Sequence, residues 1–163
     1  YLTTPTVTIS SPFSGTSGTP AVANIVGETA SSGGNINTKY ISRRVTLEDG
    51  FDASDLKVIV NAYKPLGSGL HVYFKVKSDE DPEDFDKKDY VLMSQETPSS
   101  VFSLTEGDTK ELVFKSANDA ITYTSSNVTY EKFKTFAIKI ALTSNNATVI
   151  PKVRDMRAIA LDE

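Results

Sequence analysis

The sequence predicts an all-β protein, built as an antiparallel β-sandwich of jelly-roll-like form. Apolar and polar residues alternate with a period of two in several short stretches, which is typical of strands with one buried face. Turn-forming residues separate about eight or nine such stretches, and no long helical pattern occurs between them. Periodicity does not distinguish a jelly roll from an immunoglobulin-like sandwich, although the sequence has no cysteine and no tryptophan, which antibody domains carry in their core.

Two stretches, 56–64 and 70–77, carry the clearest strand pattern, because each places four apolar side chains on one face. The predicted buried set is Leu56, Val58, Val60 and Ala62 in the first stretch and Leu70, Val72, Phe74 and Val76 in the second. Residues 65–69 between them include two glycines, which predicts a short hairpin loop. We expect His71 and Tyr73 on the outward face of the second stretch.

The segments on either side of this pair are shorter or less regular. Residues 40–47 are expected to form an earlier strand that offers Ile41, Val45 and Leu47 to the core. Phe51, in the polar link that follows, is expected to plug the end of the sandwich. Residues 127–133 are compatible with one helical turn.

The last third of the chain contains a second strong strand pattern at 133–142, followed by a final strand at 153–161. Phe136, Ile138, Ile140 and Leu142 share one face of the first of these strands. Pro151, just before the final strand, cannot donate a backbone hydrogen bond, so this segment belongs at a sheet edge or a bulge.

Domain organisation follows from a change in composition near residue 36. Residues 1–36 are rich in Ser, Thr, Gly and Pro and carry too little apolar surface to order by themselves, so we expect an N-terminal arm with one or two strands that pack on the domain. Residues 37–163 are expected to form the β-sandwich domain. A chain of 163 residues can bury roughly 70% of its unfolded surface as one domain.

Composition argues against several classes of partner and chemistry. The net charge is −4 without a basic run, so we expect no nucleic-acid partner. No apolar run approaches the ~20 residues of a membrane helix, so we expect no membrane partner. The absence of cysteine removes disulfides, thiol catalysis and cysteine-based zinc sites. The chain begins at Tyr1 without a methionine, which we interpret as a piece of something longer.

The segment 78–89 is the most charged in the chain, and calcium binding is the specific functional hypothesis that it suggests. Its spacing does not fit an EF-hand loop, and Pro82 interrupts it. We therefore favour a solvated connection in which Phe85 anchors into the core and Lys87 and Lys88 partly neutralise the acids. Whether the acidic residues between 79 and 89 bind a cation stays open at this point.

No residue pattern nominates a catalytic, cofactor or metal site, and we expect a protein that is not an enzyme. His71 is the sole histidine, which leaves too few nitrogen ligands for a histidine metal site. Sugar-binding sandwiches stack sugars on exposed aromatic rings, and Tyr63, Tyr73, Tyr123 and Tyr130 are possible platforms, although ordinary strand packing explains each of them. The weak ligand-contact candidates are Tyr63, Tyr73 and His71.

Several segments, taken together and in order, resemble a module of virion structural proteins from tailed bacteriophages. The segments are YISRRVTLEDGFDASDLKV at 40–58, AYKP at 62–65, HVYFKV at 71–76, DPEDF at 81–85, FAIKI at 136–140 and VIPKVRDMRAIAL at 149–161. The module is similar to the β-rich C-terminal region of large tail or baseplate-associated proteins, especially those of T4-like and marine phages. The resemblance covers roughly residue 11 to the end of the chain.

The resemblance implies a location in the virion, in the tail or baseplate, and no catalytic residues. It implies a non-enzymatic structural or interaction domain whose partners are other virion proteins, as an oligomer within the particle. The alternative is a receptor- or carbohydrate-binding module at a tail-fibre or baseplate tip, with a host surface glycan or receptor as partner.

Overall fold

A computed structural model describes residues 38–118, 120–145 and 148–162. It confirms an all-β protein made of antiparallel sheets. The strands are β1 Lys39–Ile41, β2 Val45–Thr46, β3 Asp55–Tyr63, β4 Ser68–Lys77, β5 Val91–Leu92, β6 Ser94–Gln95, β7 Lys110–Lys115, β8 Tyr123–Ser125, β9 Val128–Tyr130, β10 Thr135–Ser144 and β11 Lys152–Leu161. A short 3-10 helix spans Phe85–Lys87. The predicted arm at 1–36 lies outside the described residues, so the predicted domain boundary stays a prediction.

Two sheets form the sandwich. One has the order β1-β10-β4-β5, with β2 also paired to β10, and the other has the order β11-β3-β7-β6. β8 and β9 form a separate hairpin. β3 pairs with β7 and β4 pairs with β10, as strand B pairs with E and strand C with F in immunoglobulin-like sandwiches. The last strand differs from that arrangement, because β11 pairs with β3 rather than with β10. The strand order does not confirm the jelly-roll detail.

The core lies between the two sheets, and the predicted inward residues of β3 and β4 are confirmed. Leu56, Val58 and Val60 are fully buried, and Leu70, Val72, Phe74 and Val76 are at most 6% exposed. From the other two central strands, Leu112, Phe114, Phe136, Ile138 and Ile140 complete the cluster. The residues of each set point inward because successive side chains of a strand project from opposite faces, and one face of each strand is buried.

The prediction of a hairpin between β3 and β4 is wrong. The two strands belong to opposite sheets, and residues 65–67 carry the chain from one sheet to the other. Gly67 turns the chain there with a φ of 84°, and its carbonyl accepts a hydrogen bond from the Asn145 backbone N–H at 3.0 Å. The alternation of apolar and polar residues identifies the buried face of each strand. It does not distinguish a hairpin within one sheet from a connection between two facing sheets, because both leave the same faces buried.

Three local predictions also fail. Ile41 and Val45 are 48% and 41% exposed, because β1 and β2 are short edge strands. Phe51 is 66% exposed and does not plug the sandwich. The helical turn predicted at 127–133 is instead the turn and second strand of the β8–β9 hairpin, with Ser126 and Asn127 at φ of 50° and 64°.

Candidate functional site: the acidic-loop cluster and its cleft

The structure does not bring the three ligand-contact candidates together. Tyr63 is half-buried on the outer face of the sheet that contains β3, whereas His71 and Tyr73 lie on the outer face of the opposite sheet. Tyr73 is 1% exposed, so its ring offers no platform to a sugar. The expected outward position of Tyr73 is confirmed, but side chains packed on that face bury its ring, while ligand contact at Tyr63 or His71 stays a prediction.

Lysine side chains packed between aromatic rings account for the burial of Tyr73. The Lys139 Nζ lies 4.5 Å from the Tyr73 ring centre and 4.7 Å from that of Tyr90. The Lys75 Nζ lies 5.0 Å from the Tyr90 ring centre and 4.6 Å from that of Phe85. Such contacts attract a cation to the negative face of the ring, more strongly as water is excluded. They turn a surface that alternation predicts to be solvated into a packed layer.

This layer affects the charge state of Lys139. Burial lowers the pKa of Lys139, and the nearby positive charge of Lys39 lowers it further. The two rings oppose this effect, because each presents its negative face to the ammonium.

The acidic segment 78–89 contains the most highly connected cluster of polar side chains among the described residues. Asp81, whose side chain is fully buried, forms an ion pair with Lys88 at 2.5 Å. Its carboxylate also accepts hydrogen bonds from the Tyr123 hydroxyl at 2.9 Å and the Ser125 hydroxyl at 3.1 Å. Lys88 in turn donates to Glu83 at 2.6 Å and to Ser125 at 2.8 Å. We call these five residues the acidic-loop cluster.

The cluster fixes the loop to the β8–β9 hairpin. The Tyr123 hydroxyl accepts a hydrogen bond from the Ser78 backbone N–H at 2.7 Å while it donates to Asp81, so both of its hydrogen-bonding roles are used. The ring of Tyr123 stacks on Tyr130 with centres 5.3 Å apart, so one of its faces is also occupied. Tyr123 is therefore part of the scaffold rather than an open sugar platform.

The environment of the cluster stabilises its charged state. Burial alone would raise the pKa of Asp81, but hydrogen bonds from Lys88, the Glu83 backbone N–H, Tyr123 and Ser125 outweigh burial and lower the pKa to about 2. Burial would lower the pKa of Lys88, but hydrogen bonds to Asp81 and Glu83 and their charges raise it above its usual value. Burial raises the pKa of Tyr123, and the hydrogen bond to Asp81 and its charge raise it further, against a smaller lowering by the Ser78 N–H. The Asp81–Lys88 pair is thus ionised across the neutral range.

Acid should weaken the fold through Asp81. Because the folded-state pKa lies below the reference value of 3.8, ionised Asp81 contributes stability above pH 3.8 that is lost as the pH falls towards about 2. A shift of this size corresponds to roughly 2 kcal/mol. We expect the difference in unfolding free energy between wild type and Asp81→Asn to narrow by about that amount between about pH 5 and pH 2. Urea titrations at both pH values test this, and a pH-independent difference would contradict it.

The calcium hypothesis gains no support from this geometry. In the described part of the chain, no three His, Cys, Asp or Glu residues converge as a metal site. Two parts of the favoured interpretation are confirmed, since Phe85 is 5% exposed and Lys88 neutralises two carboxylates. The prediction that the whole segment is solvated is wrong, because Asp81 is 1% exposed. Lys87, the other predicted neutralising residue, is exposed.

A cleft of about 370 Å³ opens beside the cluster, between the edge formed by β4 and β5 and the segment that leads from β7 to β8. Apolar side chains such as Val91 and Ile121 line part of it, with Lys87, Asp89 and Thr122 among the polar groups. The cleft can hold a small polar molecule, but Lys88 and Tyr123, which also line it, already bind protein groups.

Sequence reasoning found part of this site and missed the rest. It identified Lys88 as a neutralising residue because the lysine lies close to the acids in sequence. It did not find Tyr123 and Ser125, which lie 42 and 44 residues from Asp81. The only feature of the sequence that pointed to them was their position in the short polar stretch that forms the β8–β9 hairpin. A single sequence does not show where that hairpin packs on the rest of the protein.

No protein-family model, no curated protein and no solved structure matches this chain. Within residues 38–118, 120–145 and 148–162, no helix has the length and apolarity that a membrane crossing needs.

Proposed function

We propose that this chain is a non-enzymatic structural and interaction domain of a bacteriophage virion protein, in the tail, baseplate or fibre. Its partners are other virion proteins, and it works as part of an oligomeric particle. The observation that carries the proposal is a set of exposed apolar side chains at one end of the sandwich. Leu66, Leu104 and Ile150 are 74%, 91% and 58% exposed. We call these three residues the loop-tip surface.

Contacts between the loops hold the loop-tip surface together. Pro65 and Ser103 form an isolated backbone bridge, which brings the neighbours Leu66 and Leu104 to the same end of the molecule. An ion pair between Lys152 and Glu106 ties the start of β11 to the same loop. Exposed apolar side chains on loops held by a rigid scaffold are typical of protein contact sites. The similarity of segments 40–58 and 149–161 to phage virion modules supports the virion as the setting.

Labelling of intact particles tests the proposal. Antibodies raised against the purified domain are expected to mark the tail or baseplate of particles produced from the genome that encodes this chain, as seen by negative-stain electron microscopy. Particles carrying Leu66→Ser and Leu104→Ser together are expected to retain less of the protein than particles carrying Val128→Ser, a matched change at a 50% exposed valine at the start of β9. Absence of the protein from purified particles would overturn the proposal.

A receptor- or carbohydrate-binding module is the second candidate, and the cleft beside the acidic-loop cluster favours it. A concave site with apolar walls and a few polar groups is the usual form of a small-ligand site. A glycan array distinguishes the two functions. Selective binding that is lost on Thr122→Val in the cleft, but retained on Tyr63→Ala on the other sheet, would favour a binding module.

A further inference from the structure

β11 is the longest open strand edge in the described part of the chain. It spans Lys152–Leu161 and pairs only with β3, whereas the other outer strands, β1, β2, β5 and β6, have two or three residues each. An open edge presents unpaired backbone N–H and C=O groups that can accept another strand. Charged side chains and a bulge at Arg154 restrict which strand can be added.

Two opposite charges stand on the outer face of this edge. Asp155 and Arg157 lie opposite Asn61 and Ile59 of β3, which alternate with the fully buried Val60. The side chains of Asp155 and Arg157 are 63% and 56% exposed. Arg157 donates from Nη2 to Glu111 at 2.6 Å, and its guanidinium has further N–H groups with which to bind a second carboxylate.

The inner face of β11 is incompletely covered. Met156, Ala158 and Ala160 pack against the core but are only partly buried. Among residues 38–118, 120–145 and 148–162, the sheet ends at β11, and none of these residues forms a strand beyond these side chains. A strand added at this edge would extend the core over them and would supply partners for the open backbone groups.

We propose that β11 pairs antiparallel with β11 of a second copy of this chain, about a two-fold axis that passes through Met156. In this register Asp155 of each copy lies opposite Arg157 of the other, on the same outer face. Opposite charges directly across a strand pair stabilise it, and like charges destabilise it. The two four-stranded sheets become one continuous sheet, and the isologous contact uses the open edge of both copies.

The same charges disfavour the neighbouring registers. An axis through Asp155 would place Asp155 opposite its own copy, and an axis through Arg157 would place two arginines opposite each other. An axis through Ala158 would place Arg157 opposite Ile159 and form no opposite-charge pair. The bulge at Arg154 limits the regular ladder, so we expect a dissociation constant of about 10–100 µM. The dimer is independent of the proposed virion function.

Charge reversal tests both the dimer and its register. Sedimentation velocity over about 5–500 µM is expected to show a monomer–dimer equilibrium for the wild-type chain. Asp155→Arg and Arg157→Asp are each expected to weaken the dimer at least about tenfold, because each variant alone brings like charges together. An equimolar mixture of the two variants is expected to restore association, since every contact between positions 155 and 157 then joins opposite charges.

Glu111→Gln is the matched control, because it removes one of the two intramolecular carboxylate partners of Arg157 and leaves the other, Asp155, and the strand edge unchanged. This variant is expected to dimerise like wild type, and circular dichroism checks that all the variants are folded. A wild-type chain that stays monomeric up to about 500 µM would overturn the proposal. Reversals that leave association unchanged, or a mixture that does not associate, would overturn it as well.

Discussion

Replacing Asp81 with alanine is expected to lower the free energy of unfolding by about 3–5 kcal/mol. The Asp81 side chain is fully buried, and that of Lys88 is 8% exposed. Without Asp81, Lys88 keeps only Glu83 as an anionic partner, and the hydroxyls of Tyr123 and Ser125 lose an acceptor. The cost reflects a buried charge with one fewer anionic partner and buried hydroxyls that lose an acceptor, more than the strength of the original pair. Urea unfolding near neutral pH measures it.

Two further variants test whether burial of the charged pair causes the destabilisation by Asp81→Ala. Glu83→Gln removes the other carboxylate bound to Lys88, but the Glu83 side chain is 40% exposed, so we expect a much smaller cost than for Asp81→Ala. Adding Lys88→Met to Asp81→Ala removes the stranded charge and is expected to recover part of the lost stability. Equal losses of unfolding free energy for Asp81→Ala and Glu83→Gln would contradict this account.

Local alternation was enough to predict the long central strands β3, β4 and β10 and their buried faces. The inward residues of β3, β4 and β10 follow directly from the period of two, because one face of each central strand packs against the opposite sheet. The pairing of strands could not be predicted in the same way. β4 pairs with β10 across more than 55 residues of sequence, and nothing in either strand alone distinguishes that partner from β3.

The candidate site was harder to predict, because charged residues of types that usually lie on the surface are buried there. Lysine in an alternating strand indicates a solvated face, yet Lys139 is 2% exposed and lies between two tyrosine rings. Aspartate in an acidic loop likewise indicates a surface residue, yet Asp81 is 1% exposed. Both exceptions depend on partners distant in sequence, which are aromatic rings for Lys139 and the hydroxyls of Tyr123 and Ser125 for Asp81, so the composition of one segment does not reveal them.

Replacing Phe133 with alanine is expected to destabilise the fold by about 3–5 kcal/mol. Phe133 is 1% exposed and packs edge-on against Phe136, with ring centres 6.2 Å apart and an interplanar angle of 80°. Its backbone forms an isolated antiparallel bridge with Ala53, which fixes the ring at the end of the sandwich. Truncation removes buried apolar surface and leaves a cavity that this fixed backbone cannot close. Urea unfolding measures the loss.

Phe51→Ala is the matched control, because it makes the same chemical change two residues from Ala53. Phe51 is 66% exposed, so its truncation is expected to change the free energy of unfolding by no more than about 0.5 kcal/mol. The sequence pattern assigns the end of the sandwich to Phe51, whereas the structure places Phe133 there. We therefore expect the larger decrease in the free energy of unfolding for Phe133→Ala. A larger decrease for Phe51→Ala would show that the sequence-based assignment was right.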